Sequence, residues 1–485
     1  MHRTSLLTSL ALVLGNSSLE AETPAPLNFV VIVADDLGWA DIGANNPDCF
    51  YDTPHVDRLA ASGTRFRHGY AANPVCSPTR FSLMTGRYPS RADVTNWFSG
   101  KRVGNFKGAP FHERMALEEV TLAEAVVPAG YSTFFAGKWH QGPNAKFWPQ
   151  AQGFGVNRGG HSGGGPYGGK KYFSPYGNPR LDDGPDGEHL PDRLARETVS
   201  FMREKKGSPF LAYLAFYSVH TPLMAPKDLV AKYKAKRLGM EGPEFAEEEQ
   251  VLPKAGTRRV RIQQRHAIYG GMVEAMDRAV GTVLDGIEEL GLQDNTVVIF
   301  TSDHGGLATS EGHPTSNLPF RCGKGWVYEG GLRVPFVVRW PGATTPGSVS
   351  DAPVMSIDLF PTLIGQVAPD ATSHCDGQDI LPLLRGETTR ARPLFWHYPH
   401  YANQGGFPGG AVRVGTWKLI ERYEDGRVHL YDLATDPGER KDLAAEQPQR
   451  VAAMRRQLHE WYIEVDAKFL EQKPGGAAAW RPKVD

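Results

Sequence analysis

Five short apolar runs bounded by turn-forming residues punctuate the chain: Phe29 to Val33, Ser132 to Phe135, Phe210 to Phe216, Val297 to Phe300 and Val334 to Trp340. Continuous apolar runs of this kind predict strands buried on both faces, because a half-exposed strand would alternate with polar residues. Between them lie helical patterns. The clearest places Ile268, Met272, Met276, Val280, Val283 and Ile287 three or four residues apart before Gly291 stops it. Strands alternating with helices predict an α/β domain whose mostly parallel, mixed sheet is covered by helices on both faces.

Past about residue 380 the texture changes. The stretch "VRVGTWKLIERYEDGRVHLYDL" reads as two alternating strands around the turn Asp425-Gly426. A last helix follows, with Val451, Met454, Leu458 and Trp461 on one face. Residues 381–485 are therefore expected to form a smaller α+β subdomain containing an antiparallel sheet. "GGHSGGGPYGGKK" and "YANQGGFPGG" have no periodicity and are expected to be loops. At the other end, His2 and Arg3 precede an apolar core from Leu6 to Leu14 and small residues near Ala21. That pattern predicts a secretory signal over residues 1–21, a main domain over 22–380, and an exported protein, periplasmic or secreted. No later apolar run is long enough for a transmembrane helix.

Composition narrows the function classes. The formal net charge of the 485 residues is -1, with no basic stripe, so neither nucleic acid nor an anionic membrane is an expected partner. Any bound anion must be held by a local site. Four cysteines (Cys49, Cys76, Cys322, Cys375) are too few for a disulfide framework and leave room for one bridge.

Ligands in open α/β sheets bind beyond the carboxyl ends of the strands, and these ends carry charge. "NFVVIVADDLG" finishes in Asp35-Asp36, "STFFAGKWHQG" runs into Lys138 and His140, "FLAYLAFYSVHTP" into His220, and "TVVIFTSDHGG" into Asp303-His304. Adjacent carboxylates need a neutralising cation, so Asp35, Asp36 and Asp303 read as oxygen ligands of a hard divalent ion; a turn or helix cap is the alternative for Asp35-Asp36 alone. Cys76 precedes Ser77, a good N-cap, and Pro78, suited to the first helical position, while Gly86 can close a short helix. A thiol at that helix entrance reads either as a half-buried structural cysteine or as a low-pKa nucleophile beside histidine.

Neither reading explains Pro78 and Arg80 together. "CSPTRFSLMTG" resembles the signature of the type I sulfatases of the alkaline phosphatase superfamily, Cys-x-Pro-x-Arg followed by a Thr-Gly step, in which the cysteine is oxidised to formylglycine. "ADDLG", "GKWHQG", "YSVHTP", "TSDHGG", "GKGWVYEGGLRVPFVVRWPG" and "LYDLATDPGERKDLA" appear in that family's order. The resemblance implies an alkaline phosphatase-like fold and, by position, these roles: Asp35, Asp36, Asp303 and His304, with the residue at Cys76, bind Ca²⁺, or Mg²⁺ or another divalent ion; Cys76 as hydrated formylglycine supplies the attacking hydroxyl, which Arg80 orients. It further implies that Lys138 and Lys324 pin the sulfate, that His140 takes the proton from the second hydroxyl, that His220 protonates the leaving alcohol, and that a formylglycine-generating enzyme matures the chain. Two positions depart from the family pattern: His304 stands where many relatives have Asn, and Gln141 where Leu is common.

Substrate choice is expected from rim loops. Trp97, Lys101, Arg102 and His112, then Arg158 and His161, then His397, Tyr398 and His400 combine aromatic faces with hydrogen-bonding cations, which suits a sulfated sugar or polysaccharide fragment. "GGHSGGGPYGGKKYFSPYGNP" also resembles loops of exported bacterial polysaccharide sulfatases. The expectation is thus a carbohydrate sulfatase. The alternatives are a phosphonate monoester or phosphodiester hydrolase with the same nucleophile, or a secreted glycan-binding protein with a dead site.

Overall fold

The computed structural model describes residues 26–100, 102, 104–250 and 256–483. The expected signal segment and Lys101 lie outside these. Eight strands form the main sheet: β1 (Asn28–Ala34), β2 (Thr64–Phe66), β3 (Ser132–Gly137), β4 (Val156–Arg158), β5 (Phe210–Ala215), β6 (Thr296–Ser302), β7 (Phe336–Arg339) and β8 (Ser348–Ser350). Their order is β8-β2-β7-β6-β1-β5-β3-β4. The run β6-β1-β5-β3-β4 is parallel throughout, and β7 is antiparallel to both its neighbours. This is the mixed, mostly parallel sheet of the alkaline phosphatase-like fold.

The side-chain period of two divides β1 between two cores. Val30, Ile32 and Ala34 pack with Leu194 and Met202 of α3 and with Met272, Met276 and Val280 of α4, whereas Phe29, Val31 and Val33 face Phe81 and Leu83 of α2 together with Leu359 and Phe360. Here α1 is Pro54–Ser62, α2 Cys76–Thr85, α3 Leu190–Glu204, α4 Ala267–Glu289 and α5 Pro448–Glu464. Helices thus cover both faces, which is why the five runs carry no polar alternation. The long stripe predicted from Ile268 to Leu290 is α4.

The C-terminal sheet has four antiparallel strands in sequential order: β9 (Leu394–Tyr398), β10 (Gly409–Val414), β11 (Trp417–Arg422) and β12 (Val428–Asp432). The sequence reading of two strands around Asp425-Gly426 is corrected to three. "VRV" belongs to β10, and Gly415 (φ 60°) with Thr416 makes a second tight turn before β11. Trp396, Val412, Leu419 and Leu430 pack against Met454, Leu458 and Trp461 of α5, and also against Tyr70, Trp326 and Leu332 of the main body. No helix among the described residues is long and apolar enough to cross a membrane. All four cysteines are unbridged, so the room for one disulfide is not used.

Candidate active site

Register brings the charged strand ends together. Ala34 stands beside Ser302, Val33 beside Ala215, and Gly137 beside the same Ala215, so the next residues of β1, β6, β5 and β3 emerge at one edge. Backbone bonds continue the ladder past the strands: Asp303 N–H donates to Ala34 O (3.1 Å), Asp35 N–H to Ser218 O (2.9 Å) and Lys138 N–H to Ala215 O (2.8 Å). Asp36 (φ 62°) and His140 (φ 55°) adopt the left-handed conformation, a strained choice found preferentially where function fixes the backbone.

The helix carrying the thiol begins two residues earlier than expected. Val75 is its N-cap and Cys76 its first residue, so Ser77 does not cap it; the Ser77 hydroxyl instead accepts from Phe98 N–H (3.3 Å). Gly86 closes it in the left-handed conformation (φ 70°), as predicted. Cys76 Sγ lies 3.3 Å from His304 Nε2. The thiol is buried, but Lys138, Lys324, His304 and a hydrogen bond from His140 outweigh burial and hold it well below the ordinary thiol range.

Around it the charges interlock. Arg80 donates to Asp303 Oδ2 through Nε (3.0 Å) and to Lys138 O through Nη1 (2.9 Å), with Nη2 at ion-pair distance (2.9 Å) from the same Asp303 oxygen. Lys138 Nζ donates to Asp35 Oδ2 (2.6 Å) and Lys324 Nζ to Asp36 Oδ1 (2.7 Å). All of these side chains are buried. Burial and the neighbouring Asp303 raise Asp35 well above the carboxylate range. For Asp36 burial acts upward too, but Lys324, His220 and His304 hold it low. Burial would lower His304, yet Asp303 and Cys76 raise it to about 9. One ligand atom each from Asp35, Asp36, Cys76 and His304 falls within 4.8 Å of the others, and His304 Nε2 is 3.4 Å from Asp303 Oδ1.

Cys76 and Lys324 carry this cluster to a cavity of about 300 Å³, lined also by His140 and His220 and, at the rim, by Trp97, Phe98, Arg102, Tyr167, Glu311, Asn403 and Gln404. His220 Nδ1 donates to Thr221 O (2.7 Å), which leaves Nε2 as the nitrogen available to a ligand. Gln141, the departure beside His140, donates to the carbonyls of Ser77 (2.9 Å) and His140 (3.0 Å), tying the β3 end to α2.

The expected rim is only partly realised. Trp97 and Arg102 line the cavity, whereas His112, Arg158 and His161 do not. Arg158 is turned to Glu197 (3.0 Å) on α3 because it leaves an edge strand beside that helix. His112 is exposed, and its backbone N–H is bound to Asp93 O (2.7 Å). His161 accepts from Gly163 N–H through Nδ1 (3.0 Å) and from His140 N–H through its carbonyl (3.3 Å), so it shapes the loop rather than the cavity surface. His397 and Tyr398 are buried in β9, and His400 belongs to a neighbouring cavity with Phe106 and Phe111. Tyr167, Asn403 and Gln404, which do line the site, come from the two Gly-rich stretches whose lack of periodicity identified them only as loops.

Fold and site define a class: an enzyme with cationic side chains gathered around a buried cysteine at the carboxyl edge of an alkaline phosphatase-like sheet, an arrangement suited to an oxyanion. Residues 27–368 match the family described as Sulfatase, and residues 322–468 that described as N-sulphoglucosamine sulphohydrolase, C-terminal. A sulfatase of Formosa agariphila is 31% identical over 94% of this chain and 92% of its own length. Arylsulfatase A of Homo sapiens is 32% identical over 86% and 83%. The solved structure of Ps i-CgsB in complex with k-i-k-neocarrahexaose superposes with a TM-score of 0.72 at 27% identity, covering 90% of this chain and 92% of that one. The chain belongs to the sulfatase family, and its enzymatic class is that of a sulfatase.

Proposed function

We propose that the protein is exported and releases inorganic sulfate from a sulfated carbohydrate, with Cys76 matured to formylglycine and a divalent cation at the strand ends. The observation that carries this reading is Cys76 at the start of α2, between the carboxylate cluster and a cavity lined by Lys324, His140 and His220 under a rim of aromatic and amide side chains. The complex of the related Ps i-CgsB with a neocarrahexaose supports a carbohydrate as substrate. The pattern before residue 21 supports export to the periplasm or beyond, and maturation requires a formylglycine-generating enzyme.

The donor chemistry fits a hard cation. Three buried carboxylates converge, and Asp35 Oδ1 is buried without a hydrogen-bond partner. Asp35, Asp36, Asp303, His304 and the matured residue 76 would hold Ca²⁺ or Mg²⁺, which supplies charge withdrawal from the sulfuryl oxygens. The matured side chain would supply an attacking hydroxyl and, through its second hydroxyl, the means to expel sulfate.

The chain's own residues do the rest. Arg80 fixes Asp303 and the β3 end, so the angle at which residue 76 meets the ester is set before substrate arrives. Lys138 and Lys324 add positive charge on the side of the sulfuryl oxygens. His140, which lines the same cavity as residue 76, would take its proton. Burial and Lys324 push His220 down to about 4, and an anionic ester beside it acts in the opposite direction, favouring the proton that the leaving oxygen needs.

Cys76→Ala is expected to abolish turnover of sulfate esters while leaving the melting temperature within a few degrees. The tryptic peptide from His68 to Arg80 is expected to carry the mass of the aldehyde or its hydrate. Turnover by the alanine variant, or by protein whose peptide is entirely thiol, would remove the proposed nucleophile. Faster turnover of a phosphonate monoester than of any sulfate ester would move the assignment to phosphorus.

A further inference from the structure

One wall of the cavity is built for something other than an anion. Glu311, Asn403 and Gln404 line it together with Lys324 and His220. Glu311 stands in a turn closed by His313 N–H to Ser310 O (2.8 Å), at φ 53°. Its Oε1 accepts from Asn403 Nδ2 (2.6 Å) and Gln404 Nε2 (2.9 Å), while Oε2 has only a long bond from the Thr221 hydroxyl (3.4 Å).

Those contacts settle the amide orientations, since both NH₂ groups must face the carboxylate. Asn403 Oδ1 and Gln404 Oε1 are turned away from the carboxylate and buried, so the two amides hold Glu311, whose Oε2 keeps spare acceptor capacity. Arg258 donates to the carbonyls of Thr309 (2.8 Å) and Asn403, so the wall is braced in place. One feature then needs an explanation: a carboxylate in a cavity that admits an anionic ester repels its ligand. A leaving group with O–H donors beside its ester answers it, because those donors can bond Glu311.

We propose that Glu311, held in place by Asn403 and Gln404, is the acceptor of this wall, reading the hydroxyl groups flanking the sulfate ester of a sugar and excluding a second anionic group there. The proposal rests on the carbohydrate-sulfatase reading above. Glu311 acts on specificity and touches no reacting atom. A carboxylate bonded to sugar hydroxyls forms the stronger, charge-assisted class of hydrogen bond, so its removal falls on sugar binding.

The test compares wild type with Glu311→Gln on three probes: monosulfated hexoses with free neighbouring hydroxyls, the same hexoses with a second sulfate on a neighbouring carbon, and p-nitrophenyl sulfate. Glu311 is exposed on its turn, so the variant is expected to fold, which a melting curve checks. The variant is expected to lose at least tenfold in kcat/KM on the monosulfated sugar, mainly through KM. The loss on the aryl sulfate should be several-fold smaller, and the preference for mono- over disulfated sugar should fall at least tenfold. Equal losses on sugar and aryl esters, or an unchanged mono-to-disulfated preference, would overturn the wall. A wild type that cleaves the aryl ester and no sulfated sugar would remove the carbohydrate reading itself, and the wall with it.

Discussion

At Gly164 the backbone lies against the ring of His140: a β-carbon there would stand 2.8 Å from Cε1 and 3.0 Å from Nε2. No β-carbon tolerates the shorter distance, and the ring is enclosed, so it would have to turn away from residue 76. With His140 in the proposed role, Gly164→Ala is expected to lower kcat about tenfold to hundredfold, the cost of displacing a catalytic group by a fraction of an ångström to an ångström. KM should change little and the melting temperature by a few degrees at most; an unchanged kcat would show that His140 is not where the reaction needs it. The residue scale also separates what motifs can say from what they cannot. Asp35, Asp36, Arg80, Asp303 and His304 were legible because each occupies a strand end or a signature position. Glu311 and Gln404 were not, because a lone acid in a turn and an amide in a Gly-rich loop have no spacing that marks them.

Among the elements, β11 carries the contact that fixes the C-terminal sheet to the main body. Lys418 is wholly buried there, with Nζ 2.9 Å from Glu329 Oε1 and 2.9 Å from Glu439 Oε1. Against the effect of burial, Lys418, Arg333 and Arg413 bring Glu329 down to about 2, while burial leaves Glu439 raised to about 7 despite the same lysine. Lys418→Met keeps the volume and leaves the carboxylates facing one another without their cation. The expected cost is about 3–5 kcal/mol, because an uncompensated buried charge outweighs the apolar gain. Urea unfolding at neutral pH measures it, and a loss below about 1 kcal/mol would mean that the carboxylates are relieved by water or by the neighbouring arginines. Element types were largely legible, since apolar period distinguishes α4 from β1. Boundaries were less so: α2 starts at Cys76 rather than after Ser77, because the Ser77 hydroxyl is engaged by the Phe98 N–H of a distant loop.

For the whole molecule, histidine burial sets a dependence on pH. His397, read from sequence as a rim residue, donates through Nε2 to Lys468 O (2.8 Å) and accepts at Nδ1 from Tyr423 (2.6 Å), packed between Tyr462 and Phe469. Burial lowers it from 6.5 to about 4. The folded state therefore binds fewer protons than the unfolded chain between those values. Its contribution is complete above pH 6.5 and is lost as pH falls towards 4. Buried acids such as Asp277, raised to about 7, act in the opposite direction, so the comparison is made against a variant. His397→Gln is expected to be less stable at pH 7.5, with the gap to wild type shrinking by about 1.4 kcal/mol per pH unit well below 6.5; a gap constant from pH 7.5 to 5 would show that His397 titrates normally in the fold. The same residue marks the limit of reading sequence alone. Local pattern determined the strands, the long helix and the charged strand ends, because period and turn chemistry act between near neighbours. Which loops meet over the site, that Arg158 turns to α3 while Tyr167 and Gln404 line the cavity, and that His397 is core, depended on contacts between segments tens to hundreds of positions apart, and only packing of the sheet, its helices and the C-terminal unit decided them.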